Sequence, residues 1–257
     1  MNKKYFFFDV DGTLTDRKTG KIVPSAQQAL NELEQNGHFV ALATGRAHYK
    51  ARWALDEYKL KNMVCCGGAG LVVDGELVQN LPIDLKKAKK LVAEAKANGI
   101  GYLLTLNDST DCFSDNNLFV EQTGGRKEPT NYIINENLDP SKLDIIYKVY
   151  LSVSEEDEHL LPTLQEFGFL RFEPEYLIIQ HDRKKQGIIE MIEKVGGNLE
   201  DVVVFGDDKN DLDMFDPRWF SVAMGNGMQE LKDKANYVAE TNIDDGIYKT
   251  CKKFGWI

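Results

Sequence analysis

Residues 5–15 read YFFFDVDGTLT, and this stretch decides the fold. Four consecutive apolar residues, Tyr5 to Phe8, give way at once to Asp9, Val10, Asp11 and Gly12. A short unbroken apolar run predicts a strand buried on both faces, as in a parallel sheet with helices on each side. The abrupt change to carboxylates and glycine predicts that the chain leaves the sheet there. In open parallel sheets, ligands bind beyond the C-terminal ends of the strands. The same transition recurs twice. HFVALA (38–43) runs into Thr44-Gly45-Arg46, and VVVF (202–205) runs into Gly206-Asp207-Asp208-Lys209-Asn210-Asp211. Three strand ends thus deliver carboxylates, a hydroxyl, glycines and an amide to one rim.

Around these strands the first third of the chain alternates strand and helix. Ser25 and Gln28 have the spacing of a capping box just after Pro24. Ala26, Ala29, Leu30 and Leu33 follow at helical spacing, and Asn36-Gly37 supplies the stop. Ala47–Tyr58 predicts a second helix, Met63–Cys66 a third strand, and Leu71–Val78 a hairpin turning at Asp74-Gly75. The middle differs. A helix from Leu85 to near Gly99 precedes strands in GYLLTL, NYIIN and IIYKVYLSV, with a polar stretch from Glu121 to Thr130 among them. A charged helix is predicted at Glu155–Phe167, with Pro162 as a kink or late start, and then strands FLRFE and EYLIIQ. Alternation then returns. Ile188, Ile189, Ile192 and Val195 mark a helix ended by Gly196-Gly197, Leu212–Phe215 is read as helical, Phe220–Ala223 and Tyr237–Ala239 as strands, and Ile247–Phe254 as a last helix. The reading is one α/β unit, residues 1–81 and 182–257, split by an inserted α+β domain at 82–181.

Composition narrows the function classes. The 257 residues carry 31 Lys+Arg against 41 Asp+Glu, a net charge of −10, which argues against general binding to nucleic acid or anionic membrane. A hydrophobic content of 42% excludes wholesale disorder. No apolar run approaches the roughly 20 residues a spanning helix requires. Tyr5–Phe8 is too short for a signal peptide and ends at Asp9. Cys65, Cys66, Cys112 and Cys251 form no disulfide framework, so reduced thiols in the cytoplasm are expected.

Asp9 and Asp11 are two residues apart, and leaving the strand at Gly12 lets the second swing toward the first or away; as a pair they would repel each other without a cation. Asp207 adds a third carboxylate from another strand, with Asp211 nearby. An all-oxygen cluster without cysteine or clustered histidine favours a hard ion, Mg2+ foremost. Thr44 and Gly45, between a strand and a helix, suit a phosphate oxygen. A phosphate site also calls for a side-chain cation, and Lys184 and Lys185 stand where the inserted domain returns to the core.

These motifs resemble the haloacid dehalogenase-like (HAD) superfamily of aspartate-nucleophile phosphatases, and most closely its Cof-like type IIB sugar-phosphatase subgroup. DVDGTLT (9–15) matches the first family motif, and ALATGR puts Thr44 at the second. DRKKQGI supplies the third-motif lysine, and GDDKND followed by VAMGN (222–226) matches the fourth. The resemblance spans essentially the whole chain and implies a Rossmann-like parallel-sheet core with an inserted α+β cap that closes over the site and reads the leaving group. It implies Asp9 as nucleophile and Mg2+ ligand, Asp11 as general acid/base with its main-chain carbonyl on the metal, and Asp207 as a further ligand. Thr44 would bond the phosphoryl group, with Gly12, Thr13 and Gly45 beside it. Lys184, by its K-x-x-G-I spacing, would neutralise charge between nucleophile and phosphate, Lys185 being the alternative. Asn210 and Asp211 would hold the metal waters and the lysine. Gly67-Gly68-Ala69 departs from the Asn-Gly-Ala of many Cof-like members, so one amide contact to substrate is missing.

The expected function is Mg2+-dependent hydrolysis of small phosphorylated metabolites, sugar phosphates foremost, by a monomer or homodimer. Two alternatives stand. A phosphosugar mutase would depend on a sugar bisphosphate activator, since phosphomannomutases share this core and also begin DVDGTLT. A non-catalytic phosphometabolite-binding protein would have no need of an acid/base at Asp11. The remaining histidines and tryptophans, and the acidic run Glu155–Glu158, are read as packing or solvated surface.

Overall fold

A computed structural model describes residues 2–257. The chain forms two compact units. One runs to Asn80 and resumes over Asp182–Ile257, and the other is Leu81–His181.

In the first unit, β1 (Tyr5–Phe8), α1 (Pro24–Gln35), β2 (Phe39–Ala43), α2 (His48–Tyr58) and β3 (Asn62–Cys65) alternate, followed by the hairpin β4 (Gly70–Val73) and β5 (Glu76–Asn80). Asp74 and Gly75 at its turn both have positive φ, 50° and 87°, as a type I′ turn requires. The inserted unit contains α3 (Leu85–Ala97), β6 (Tyr102–Thr105), β7 (Asp111–Ser114), α4 (Leu118–Thr123), β8 (Asn131–Ile134), β9 (Lys148–Leu151), β10 (Phe169–Glu173) and β11 (Tyr176–Ile179). The first unit then continues with α5 (Lys184–Val195), β12 (Val202–Gly206), β13 (Phe220–Ala223), α6 (Gln229–Lys234), β14 (Tyr237–Val238) and α7 (Gly246–Lys253).

The eight strands of the first unit lie in the order β14-β13-β12-β1-β2-β3-β4-β5, parallel except for the β4 and β5 hairpin at one edge. Strand alternation divides the apolar residues between two cores. Phe6, Phe8, Val40, Leu42, Val203 and Phe205 pack with Leu30 and Leu33 of α1, Leu55 and Tyr58 of α2, and Ile247 and Cys251 of α7. Phe7, Ala41, Val202 and Val204 pack on the other face, with Ile188, Met191 and Ile192 of α5 and Leu231 of α6. This is a Rossmann-like α/β core. From β1 the chain steps one way to β2 and β3, and from β12 it steps the other way to β13 and β14. The strand order therefore reverses between β1 and β12, and a crevice is expected at their carboxyl ends.

The inserted unit is α+β. Its sheet runs β10-β11-β9-β6-β7-β8, antiparallel except for β7 and β8. Ala88, Leu91, Val92 and Ala95 of α3 cover one face, against Tyr102, Leu104, Val149, Leu151 and Leu177. Phe119 of α4 sits with Leu103, Tyr150 and Tyr176 on the other. The two ends of this unit meet, because His181 Nε2 lies 3.0 Å from the Pro82 carbonyl.

Two local expectations are corrected. Val23, not Ser25, caps α1; its hydrocarbon side chain can make no capping bond, and Pro24 occupies the first turn. The Ser25 hydroxyl is buried without a hydrogen-bond partner. Residues 155–167 form no continuous α-helix, and Pro162 opens a late, short 3-10 helix. Leu161 adopts φ −119° and ψ 74°, and the stretch breaks into two short 3-10 turns, Glu158–Leu160 and Pro162–Glu166. Pro162 cannot donate the N–H that a continuous helix needs there. The helical reading around Leu212 holds as a 3-10 helix, Lys209–Met214. No helix among the described residues is long and apolar enough to cross a membrane.

Candidate active site

β1 is buried along its whole length and pairs with β2 and β12 on either side. The residue that leaves it, Asp9, is therefore delivered from the middle of the sheet. Its N–H continues the ladder to the Phe205 carbonyl at 3.0 Å, and the residue is 5% exposed. Phe8 pairs with Phe205, so Asp207 emerges from β12 one step beyond the level of Asp9. The loop after β12 turns immediately. Asp211 Oδ2 accepts the main-chain N–H groups of Asp207 (2.9 Å) and Asp208 (3.1 Å), which closes the turn as a capping box.

Lys184 opens α5 and points inward. Its Nζ donates to Asp9 Oδ1 at 2.8 Å and to Asp211 Oδ1 at 2.7 Å, and the residue is 1% exposed. The adjacent Lys185 turns away, with Nζ 3.6 Å from Asp213 and 3.7 Å from Asp216. Geometry thus joins Lys184, rather than Lys185, to the carboxylates. One oxygen each from Asp9, Asp207 and Asp211 lie within 4.8 Å of one another, all three residues buried.

The charges are unequal. Three buried carboxylates face one buried ammonium, and the result shows in their titration. Burial, and then the charge of Asp211, pushes Asp9 up to about 7 against the pull of Lys184. Burial raises Asp207 as well, opposed by Arg17. Burial works against the Lys184 ammonium, but Asp211 and Asp9 outweigh it and its pKa rises. A cluster of hard oxygen donors with surplus negative charge fits a divalent cation such as Mg2+.

The other expected residues are placed as follows. The Asp11 carboxylate is exposed and lies outside the acidic cluster. It accepts from Arg46 Nη2 at 2.7 Å and Nε at 3.0 Å. The third carboxylate of the cluster is Asp211 rather than Asp11. Thr13 is buried and its hydroxyl donates to Asp207 Oδ1 at 3.0 Å. Thr44 stands at the end of β2, beside β1, with its N–H on the Val64 carbonyl at 2.8 Å and its hydroxyl accepting from the Arg46 N–H at 3.2 Å. Gly45 follows in open space, where a Cβ would meet nothing within 4 Å. The main chain at Gly12 accepts from Asn226 Nδ2 at 2.8 Å. Asn210 is exposed on the Lys209–Met214 turn and takes no part in the bonds that tie the cluster together.

The sequence reading gave no role to two arginines that grip carboxylates, Arg17 and Arg46. Arg17 bridges Asp207 and Asp208 through Nη2, 2.7 Å from each. Arg46 grips Asp11. Arg17 lies in an irregular loop, where no periodicity marks a direction. Arg46 was legible only as the last letter of ALATGR.

The chain is similar to known proteins over almost its whole length. Residues 6–250 match the family of haloacid dehalogenase-like hydrolases. YkrA of Bacillus subtilis strain 168 is 28% identical over 258 residues, 99% of each chain. The pyridoxal phosphate phosphatase YbhA of Escherichia coli K12 is 26% identical over 277 residues, covering 96% of this chain and 97% of that one. Among solved structures, the HAD subclass IIB sugar phosphatase BT4131 is 26% identical with a TM-score of 0.77, covering 99% of this chain and 100% of that one. By fold, motif and matched length, the chain belongs to the haloacid dehalogenase-like hydrolases, within their Cof-like phosphatase subgroup.

Proposed function

We propose that this protein is a Mg2+-dependent phosphatase that hydrolyses small phosphorylated metabolites, sugar phosphates foremost, through an aspartyl-phosphate. The observation that carries this reading is the Lys184 ammonium held between Asp9 and Asp211, with Asp207 beside them, at the switch point of a parallel sheet. Asp9 and Asp207, with the Asp11 main-chain carbonyl, are the residues assigned to Mg2+, which when bound supplies positive charge to the transferring phosphoryl group. Thr44, with Gly45, Gly12 and Thr13 beside it, is assigned to the phosphoryl oxygens.

Lys184 engages Oδ1 of Asp9, and Oδ2 is the oxygen offered to phosphorus. The Oδ2–P bond forms as the ester P–O bond breaks, and Asp11 gives its proton to the departing alkoxide. Asp11 then takes a proton from water as that water attacks phosphorus. The Asp9–phosphate bond breaks, inorganic phosphate leaves, and Asp9 is restored. Splitting one hard displacement into two is the gain from a covalent intermediate. Each acid/base role of Asp11 is worth about 10²–10⁴-fold. Asp11 must leave Arg46 to act, and its exposure leaves it free to turn. Asp211, held by two main-chain N–H groups, fixes Lys184 so that the ammonium needs no reorganisation as charge develops. Asn210 is assigned to the metal-bound waters.

The sugar-phosphate preference draws support from BT4131, although YbhA is named for pyridoxal phosphate. None of the four cysteines forms a disulfide among the described residues, in keeping with a cytoplasmic protein. The test is phosphate release from a panel of sugar phosphates, nucleotides, pyridoxal phosphate and an aryl phosphate, with Mg2+, with chelator, and with Asp9→Asn. Release that requires both Mg2+ and Asp9 is expected. Equal release by Asp9→Asn would overturn the covalent mechanism.

A further inference from the structure

The loop after β1 folds back on itself. Asp16 N–H donates to the Lys21 carbonyl at 3.0 Å and Thr15 bridges to Ile22, so Arg17 begins a tight exposed turn. From there its side chain runs back to the cluster. A Cβ on Gly12, whose φ is +91°, would lie 2.3 Å from Arg17 Nε and 2.4 Å from Asp207 Oδ2. Position 12 must lack a side chain for the guanidinium to reach Asp207, which makes this a fitted contact rather than a chance surface pair. The reach ends on two carboxylates. Arg17 Nη2 is 2.7 Å from Asp207 Oδ2, which is nearly buried, and 2.7 Å from Asp208 Oδ2, which is half exposed.

Asp207 is thereby fully engaged. Oδ1 accepts from Thr13 at 3.0 Å, and Oδ2 accepts from Arg17, with Asn226 Nδ2 at 3.5 Å. A divalent ion binds carboxylate oxygen at about 2.1 Å, so an ion on Asp207 would stand within a few ångströms of the guanidinium. Two cations that close repel. Thr13 is buried and Asn226 is tied into the Gly12 and Asn242 main chain, so Arg17 is the donor able to withdraw.

We propose that Arg17 is a tethered counter-cation for Asp207: it neutralises the carboxylate before metal binds, competes with the incoming ion, and withdraws onto Asp208 when the ion takes its place. The proposal rests on Asp207 being a metal ligand. It gives this chain weaker metal affinity than its carboxylates alone would supply, and a metal-free state in which Asp207 is not left uncompensated.

The test measures metal binding, not turnover. Mg2+ is titrated calorimetrically, and Mn2+ by the electron paramagnetic resonance of the free ion, into wild type, Arg17→Gln, Arg17→Lys and Lys18→Gln. A partly exposed ion pair is worth up to about 1 kcal/mol, and the ion displaces Arg17 from one of its two carboxylates, so Arg17→Gln is expected to tighten binding by up to about fivefold. Arg17→Lys, which keeps the charge but loses the fork, is expected to fall between. Lys18→Gln, on the same turn, removes a charge without a carboxylate contact to the cluster and is expected to change affinity less than about twofold. In chelator, Arg17→Gln is expected to melt below wild type, and saturating Mg2+ should erase that difference. Binding by Arg17→Gln that is equal to or weaker than wild type overturns the proposal, as does an equal gain from Lys18→Gln. Wild type that binds neither ion overturns the metal assignment itself, and the proposal with it.

Discussion

Replacing Lys184 with methionine keeps most of the side chain's bulk and removes its charge. The ammonium lies 2.8 Å from Asp9 and 2.7 Å from Asp211, in a residue 1% exposed. Removing one partner of a buried ion pair costs about 3–5 kcal/mol, because the remaining charge is left uncompensated. Asp9 has a partial escape. Already pushed up to about 7 with Lys184 present, it rises further without it and takes up a proton in neutral solution. The loss expected at pH 8 without metal is therefore near the lower end of that range, about 3 kcal/mol. The sign with pH follows by linkage. The folded variant holds a proton that the unfolded chain releases above 3.8, so its stability falls as pH rises from there to its folded pKa. Wild type stops losing stability near pH 7, where its own Asp9 is ionised and paired, so the gap widens above that point. Urea unfolding in chelator at pH 5 and pH 8, followed by the fluorescence of buried Trp219, measures both terms. A loss below about 1 kcal/mol at pH 8, or a gap no smaller at pH 5, would refute the reasoning.

Asp11→Asn is expected to cut phosphate release from alkyl monoesters by about 10²–10⁴-fold while changing stability by less than about 0.5 kcal/mol, since the side chain is exposed; retained turnover would remove Asp11 from the mechanism. Gly68→Ala meets two obstacles at once, a φ of +92° and a Cβ only 2.2 Å from the Arg183 carbonyl oxygen and 2.9 Å from the Lys184 nitrogen. It should cost about 2–4 kcal/mol and displace Lys184, and an unchanged unfolding midpoint in urea would contradict that. His38 is buried, with Nδ1 accepting the Lys4 N–H at 3.0 Å and Nε2 3.2 Å from the Trp256 carbonyl, an arrangement that only the neutral ring satisfies. Burial lowers its pKa, so its contribution to stability is complete above 6.5 and is lost as pH falls from there toward the folded value. Ring proton resonances of His38 titrating at or above 6.5 would be incompatible with this.

The parts of the fold legible in the sequence are those where one physical demand acts alone. β1 and β12 are buried on both faces, so they read as unbroken apolar runs, and the residues just past them, Asp9 and Asp207, could be located by their exit from the sheet. Lys184 and Lys185 could not be separated by spacing, because one helical step of about 100° decides which faces the cluster. Leu160, Leu161 and Leu164 mimic a helical stripe, but the missing N–H of Pro162 divides the segment, and its apolar residues serve a pair of short turns instead. β7 went unread because DCFS is four residues long and pairs acid and hydroxyl with Cys112 and Phe113. Arg17 and Arg46 act across the sheet's rim from loops, and their partners lie far along the chain. Nothing in local pattern reports such a contact.

The hydrogen bond between His181 and Pro82 bears on how such a protein can change over time. A segment whose first and last residues already touch imposes on its host little more than the closure of a short loop, whatever length it encloses. The inserted unit has its own sheet and its own apolar interior. Residues 81–181 are thus a cassette. They can lengthen, shorten or be exchanged for another closed piece at small thermodynamic cost to the host, while the strands that carry Asp9, Lys184 and Asp207 stay as they are. Such a chain can acquire a new preference by recombination at two adjacent points, without revisiting the residues that do the chemistry.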